Sequence, residues 1–251
     1  MTSWLKSKPP VPRTPLIDSI KGVRAVIFDF DGTLYDTKRF PLRLIAAKPA
    51  DLLLVRAERQ VRAGFAGRDY GSAEAYYREF FAEFARLTRR SPASARSWYH
   101  EEYIPRMIRV LRDFYRSRPG TADLFKALRT GVRGRPLPFA VYSDYPRTAE
   151  RLAAVGIDGT LPFAVYGPED FGAQKPAPRP FLEIAAALGS DPAGVLVAGD
   201  RDDTDGAGAE AAGMRYANIA NDGAWAVFCN TLPAGISMDT GESNGGCSER
   251  N

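Results

Sequence analysis

The segment Phe28-Asp29-Phe30-Asp31-Gly32-Thr33 brings two carboxylates, two residues apart, to the end of the apolar run Ala25-Val26-Ile27. Carboxylates that close in a half-buried setting repel, so a nearby cation has to offset them. Three other stretches carry groups of complementary type. Ser143 follows the apolar run Leu137 to Tyr142, Lys175 stands in Gln174-Lys175-Pro176, and Gly199-Asp200 ends the run from Val195 and opens GDRDDTD. Each has a structural explanation by itself: Asp-Gly makes turns, Ser143 or Asp144 caps the helix that Pro146 opens, and Lys175 is a solvated cation.

Taken together they have a chemical logic. Asp29 and Asp200 offer oxygen ligands to a hard cation such as magnesium, which would relieve the carboxylate repulsion. A carboxylate can attack phosphorus, and a second, offset carboxylate can protonate the leaving oxygen and later take a proton from water. Ser143 and Lys175 then supply a donor and a cation for the oxygens of a transferring phosphoryl group. The partner implied is a small phosphorylated substrate.

These groups converge only if the apolar runs are strands of one sheet. Leu137 to Tyr142, Phe163 to Tyr166, Val195 to Ala198 and Met214 to Ile219 read as strands, separated by helical stretches near 146–155, 178–188 and 206–212. Such alternation predicts an α/β fold with a parallel sheet and helices on both faces, binding ligands beyond the carboxyl ends of its strands. From about Phe40 to Tyr115 the style changes: Tyr77, Phe80, Phe81, Phe84 and Leu87 recur at helical spacing, predicting an insert of three or four helices. His100, the only histidine, falls in that insert and reads as a surface or core residue.

Composition sets the outer limits. The 251 residues are 45% hydrophobic, enough for a sizeable core. No run approaches the ~18 apolar residues of a membrane span, and the start resembles no signal peptide, so a cytoplasmic protein without a membrane partner is expected. Cys229 and Cys247 have no metal-site spacing and read as free thiols. The net charge of +4 is unevenly placed: Asp36 to Arg118 holds 18 Lys and Arg against 10 Asp and Glu, the rest 16 against 20. With no reader motif among those basic residues, no nucleic-acid partner is expected. Nothing in the sequence specifies an oligomeric state.

The four stretches resemble, in order, the motifs of the haloacid dehalogenase superfamily of phosphatases and related hydrolases: DFDGTLYDT the first, the strand ending in Ser143 the second, Lys175 with Pro176 the third, GDRDDTD the fourth. The resemblance spans residues 24 to about 213. It implies a Rossmann-like core with an inserted all-helical cap: an N-terminal proline-rich arm at 1–22, core at 23–37 and 119–232, cap at 38–118, and a polar tail at 233–251 expected to be disordered. It also implies an aspartyl-phosphate on Asp29, Asp31 as general acid and base, and Mg2+ held by Asp29, the Asp31 backbone carbonyl and Asp200, with Asp205 supporting the metal shell. A mobile cap would exclude water and select the substrate.

Some features depart from that pattern or compete with it. Members with this cap often have Asn after the second-motif Ser or Thr, where this chain has Asp144. A calcium loop starting at Asp200 fails in register, with Thr204 fifth and Ala211 twelfth, where a Glu is needed. Dehalogenases of the superfamily lack an acid at the place of Asp31, so Asp31 favours phosphoryl transfer. The alternatives are a phosphomutase of the β-phosphoglucomutase type and a non-catalytic binding protein on the same scaffold. The latter predicts loss of a core group, yet Asp29, Asp31, Ser143, Lys175 and Asp200 are all present.

Overall fold

A computed structural model describes residues 20–131, 136–157 and 163–238, with side chains up to 233. Most of the proline-rich arm, the chain after Met238 and Cys247 lie outside the described residues. Five strands, β1 (Ala25–Asp29), β2 (Phe139–Tyr142), β3 (Ala164–Tyr166), β4 (Val195–Gly199) and β5 (Arg215–Asn218), form one parallel sheet in the order β3-β2-β1-β4-β5. They coincide with the predicted apolar runs to within a residue or two at the ends.

Central β1 is buried on both faces, as a near-continuous apolar run requires in a parallel sheet. Its side chains alternate: Val26 and Phe28 join one core layer with Phe125, Trp225 and Phe228, whereas Ala25 and Ile27 join the other with Phe181, Ile184 and Ala209. Phe28 meets Phe125 at 5.3 Å and Phe228 at 6.0 Å between ring centroids. Burying each such side chain stabilises the fold by ~1.5–3 kcal/mol.

Between β1 and β2 the chain is helical: α1 (Phe40–Ala46), α2 (Leu52–Phe65), α3 (Ala73–Thr88), α4 (Pro92–Ser97) and α5 (Ile104–Phe114), with a π-helical turn at Trp98–Tyr103 before α5. Ser72 and Ser91 cap α3 and α4 by accepting the amides of Ala75 and Ser94, both at 3.2 Å. Phe80, Phe81 and Phe84 are buried as their spacing predicts, but Tyr76 takes the inner place and Tyr77 and Leu87 are half-buried. His100 packs against the rings of Tyr77, Phe81 and Tyr99. The insert is tied to the core where Gly67 donates to the Lys175 carbonyl (3.1 Å), Tyr70 to that of Gly172 (3.0 Å), and the amide of Gln174 to the Arg68 carbonyl (3.1 Å).

The remaining helices are α6 (Thr121–Thr130), α7 (Thr148–Ala154), α8 (Pro168–Phe171), α9 (Pro178–Ala187), α10 (Ala207–Ala211) and α11 (Asp222–Met238). The boundary at 233 is corrected here, because α11 runs through Pro233 to Met238. Proline removes one helix hydrogen bond, but Trp225, Phe228 and Leu232 bury a continuous helix face just before it. Cys229 is a half-buried free thiol. Among the described residues no helix is long and apolar enough to cross a membrane.

Candidate active site

Asp29 ends β1, Ser143 follows β2, Asp200 follows β4, and Lys175 stands in the loop between α8 and α9, so the parallel sheet brings all four to one rim. Two glycines permit the close approach. Gly32 has φ +95°, and a Cβ there would lie 2.2 Å from Asp200 Oδ2. A Cβ on Gly199 would lie 2.5 Å from Asp205 Oδ2.

The first centre gathers around Lys175. Its buried ammonium donates to Asp29 Oδ1 (2.7 Å), Asp205 Oδ1 (2.8 Å) and the Tyr142 carbonyl (3.0 Å). Thr33 Oγ1 donates to Asp29 Oδ2 at 2.9 Å. Oxygens of Asp29, Asp200 and Asp205 lie within 4.8 Å of one another. Burial lowers the affinity of Lys175 for its proton, but Asp205, Asp29 and Asp144 outweigh it and the ammonium stays charged. One ammonium does not balance three carboxylates. Burial and Asp205 push Asp29 well above the usual carboxylate range, and the same two causes raise Asp200 to about 6. This all-oxygen group, short of positive charge, fits a hard divalent cation.

The second centre gathers around Asp31, whose carboxylate has partners of its own. Tyr35 OH donates to its Oδ1 at 2.6 Å and Ser143 Oγ to its Oδ2 at 3.0 Å. The guanidinium of Arg151 on α7, fully buried, donates to Asp31 Oδ1 through Nη2 and to Ser143 Oγ through Nη1 at 2.8 Å. Burial would raise the Asp31 carboxyl, but Arg151, Tyr35 and Ser143 together hold it below its ordinary value. Each carboxylate of the first motif therefore has its own cation from the protein, Lys175 for Asp29 and Arg151 for Asp31.

A cavity of about 310 Å³ joins the rim to the insert, lined by Asp29, Asp31, Asp144, Lys175, Asp200 and Asp205 below and by Arg59 and Arg62 of α2 above. Ser143 is buried and lies behind Asp31, off the cavity wall. Arg62 is held by Glu58 Oε1 (2.8 Å), donates to the Asp144 carbonyl (2.6 Å) and stacks 3.7 Å over the Tyr145 ring, which joins insert to core. The unusual Asp144 braces the neighbouring loop, its Oδ1 accepting the Lys175 amide at 3.0 Å. Arg56 and His100 do not line the cavity.

Sequence alone does not single out Tyr35 or Arg151. Tyr35 gives little signal, being one apolar-looking residue after the DGT turn. Arg151 gives more, because Thr148, Arg151 and Leu152 share the buried face of α7, where an arginine needs a specific anionic partner.

Comparison with known proteins agrees with this geometry. The model of haloacid dehalogenase-like hydrolases matches residues 23–213. No curated protein matches the sequence. Among solved structures, the 2-haloacid dehalogenase from Pseudomonas syringae pv. Tomato DC3000 has a TM-score of 0.57 at 20% identity, over 86% of this chain and 99% of that one. A predicted phosphoglycolate phosphatase from Haemophilus somnus 129PT has a TM-score of 0.53 at 19% identity, over 79% and 86%. At such identities the likeness concerns the fold. By the match over residues 23–213, the chain belongs to the family of haloacid dehalogenase-like hydrolases.

Proposed function

We propose that the chain is a magnesium-dependent hydrolase of small phosphoric monoesters that works through an aspartyl-phosphate on Asp29. The observation that carries this reading is a second carboxylate, Asp31, on the wall of the same cavity as Asp29. A halide leaves without a proton, whereas the alkoxide of a phosphate ester needs one. Asp29 attacks phosphorus, the ester oxygen departs with a proton from Asp31, and Asp31 later takes a proton from the water that releases phosphate. Lys175 holds Asp29 and places positive charge beside the transferring oxygens.

Asp29, Asp200 and Asp205, with the Asp31 backbone carbonyl, would hold the magnesium ion, which supplies charge stabilisation to the phosphoryl oxygens when bound. With three donors on its oxygens, Asp31 stands in the ionised form suited to accept a proton. Substrate binding reverses this: a dianionic phosphoryl group nearby favours protonated Asp31. The helical insert acts as the cap, with Arg59 and Arg62 facing the substrate.

The test is a screen for phosphate release from sugar phosphates, phosphoglycolate and nucleotides, with magnesium and with a chelator. Release that requires magnesium is expected. Isomerisation of a hexose 1-phosphate without net release would identify a phosphomutase, and no turnover of any compound would overturn the reading.

A further inference from the structure

We propose that Arg151 is a positioning residue for the hydrolysis proposed above, on which this inference rests: it holds the Asp31 carboxyl group against the cavity, directly and through Ser143. Ser143 has a single hydroxyl proton, and that proton is given to Asp31 Oδ2. Its oxygen accepts from Arg151 Nη1 (2.8 Å) and from the Tyr145 amide (3.1 Å), so all three directions of the hydroxyl are taken and its proton is held on Asp31. Ser143 is thus one of three donors on Asp31. Arg151 Nη2 and Tyr35 OH donate to Oδ1 and hold the carboxyl group against the cavity.

Stability alone does not account for Arg151. The side chain is fully buried and its Nε has no hydrogen-bond partner, a costly arrangement that an apolar residue of similar volume would avoid. Instead the guanidinium plane is fixed between the rings of Phe30 (4.8 Å) and Tyr145 (5.2 Å), aiming one nitrogen at Asp31 and one at Ser143. A lysine keeps the charge but cannot reach both groups with one fork.

The experiment is a double-mutant cycle on the full chain, with magnesium and the alkyl phosphate turned over fastest in the screen above, an ester whose alkoxide needs a proton. Arg151→Met is expected to lower kcat roughly a hundredfold with KM changed by less than about threefold. Arg151→Lys, the safer variant for folding, should recover part of that loss. In an Asp31→Asn background, Arg151→Met should cost little more, since its effect passes through Asp31. Losses that multiply, or a rise in KM with kcat intact, would overturn the inference while leaving the hydrolase reading standing. A wild type inactive on every compound of the screen would overturn both.

Discussion

In the helical insert the two buried carboxylates each meet a buried guanidinium, Glu58 with Arg62 at 2.8 Å and Asp51 with Arg106 at 2.9 Å. Tyr99, Tyr103 and Trp98 add further hydrogen bonds to them, while Nε and Nη2 of Arg106 have no partner. At the rim of the sheet, Asp29, Asp200 and Asp205 crowd together beside the buried Lys175, while the more exposed Arg201 is paired with Asp203. The electrostatic consequence has opposite sign in the two places. Burial works against the Asp51 carboxylate, but donors from Trp98 and Arg106 outweigh it and hold the group below its ordinary value. Asp29 is held well above it. Balanced pairs fix how helices pack, whereas an excess of carboxylate is unfavourable until something positive joins it. At the rim, the buried charge that does not cancel marks the candidate cation site.

Two substitutions at the rim test this contrast most severely. Asp29→Asn should bring phosphate release to background while leaving the melting temperature unchanged or raised, because it removes one charge from a crowded group. A large loss of stability would mean that the rim is a structural network like the insert's. Asp31→Asn should lower kcat by about 10²–10⁴ in the same assay, the range for a group that transfers a proton. Wild-type turnover in either variant would dismiss the carboxylate mechanism.

The difference between the two regions also explains what the sequence could tell. The rim was legible because strand ends in a parallel sheet must share an edge, so apolar runs ending in Asp29, Ser143 and Asp200 imply convergence without coordinates. Lys175 was legible as the lysine beside a proline in the loop after the run Phe163 to Tyr166. Arg151 was not, since its meaning lies in a contact across 120 residues, and neither was the place of Ser143 behind Asp31. In the insert, spacing identified helices but could not distinguish Arg62, which faces the cavity, from Arg56, which does not. The extent of α11 past Pro233 was hidden because local propensity ends a helix where burial of Trp225, Phe228 and Leu232 sustains one.

The insert's half of the comparison has its own test. Glu58→Gln leaves the Arg62 guanidinium buried without a counter-charge, and breaking such a pair costs about 3–5 kcal/mol. Denaturant unfolding should show that loss. A change below about 0.5 kcal/mol, the size seen at exposed positions, would mean that the pair is not the closed structural unit described.

The smallest expected effect concerns the missing positive charge itself. Asp200, raised to about 6 by burial and by Asp205, is penalised when ionised, so the metal-free fold loses stability as pH rises from the ordinary carboxylate range through about 6. A divalent cation removes that penalty, but it binds only the carboxylate and must displace the proton below about pH 6. Magnesium should therefore raise the melting temperature more at about pH 7.5 than at about pH 5, and Asp200→Asn should reduce the rise at both. No such reduction in the Asp200→Asn protein would locate the cation away from the rim. An equal rise at the two pH values would mean that Asp200 does not compete for a proton there, and the contrast between balanced and unbalanced buried charge would lose its thermodynamic support.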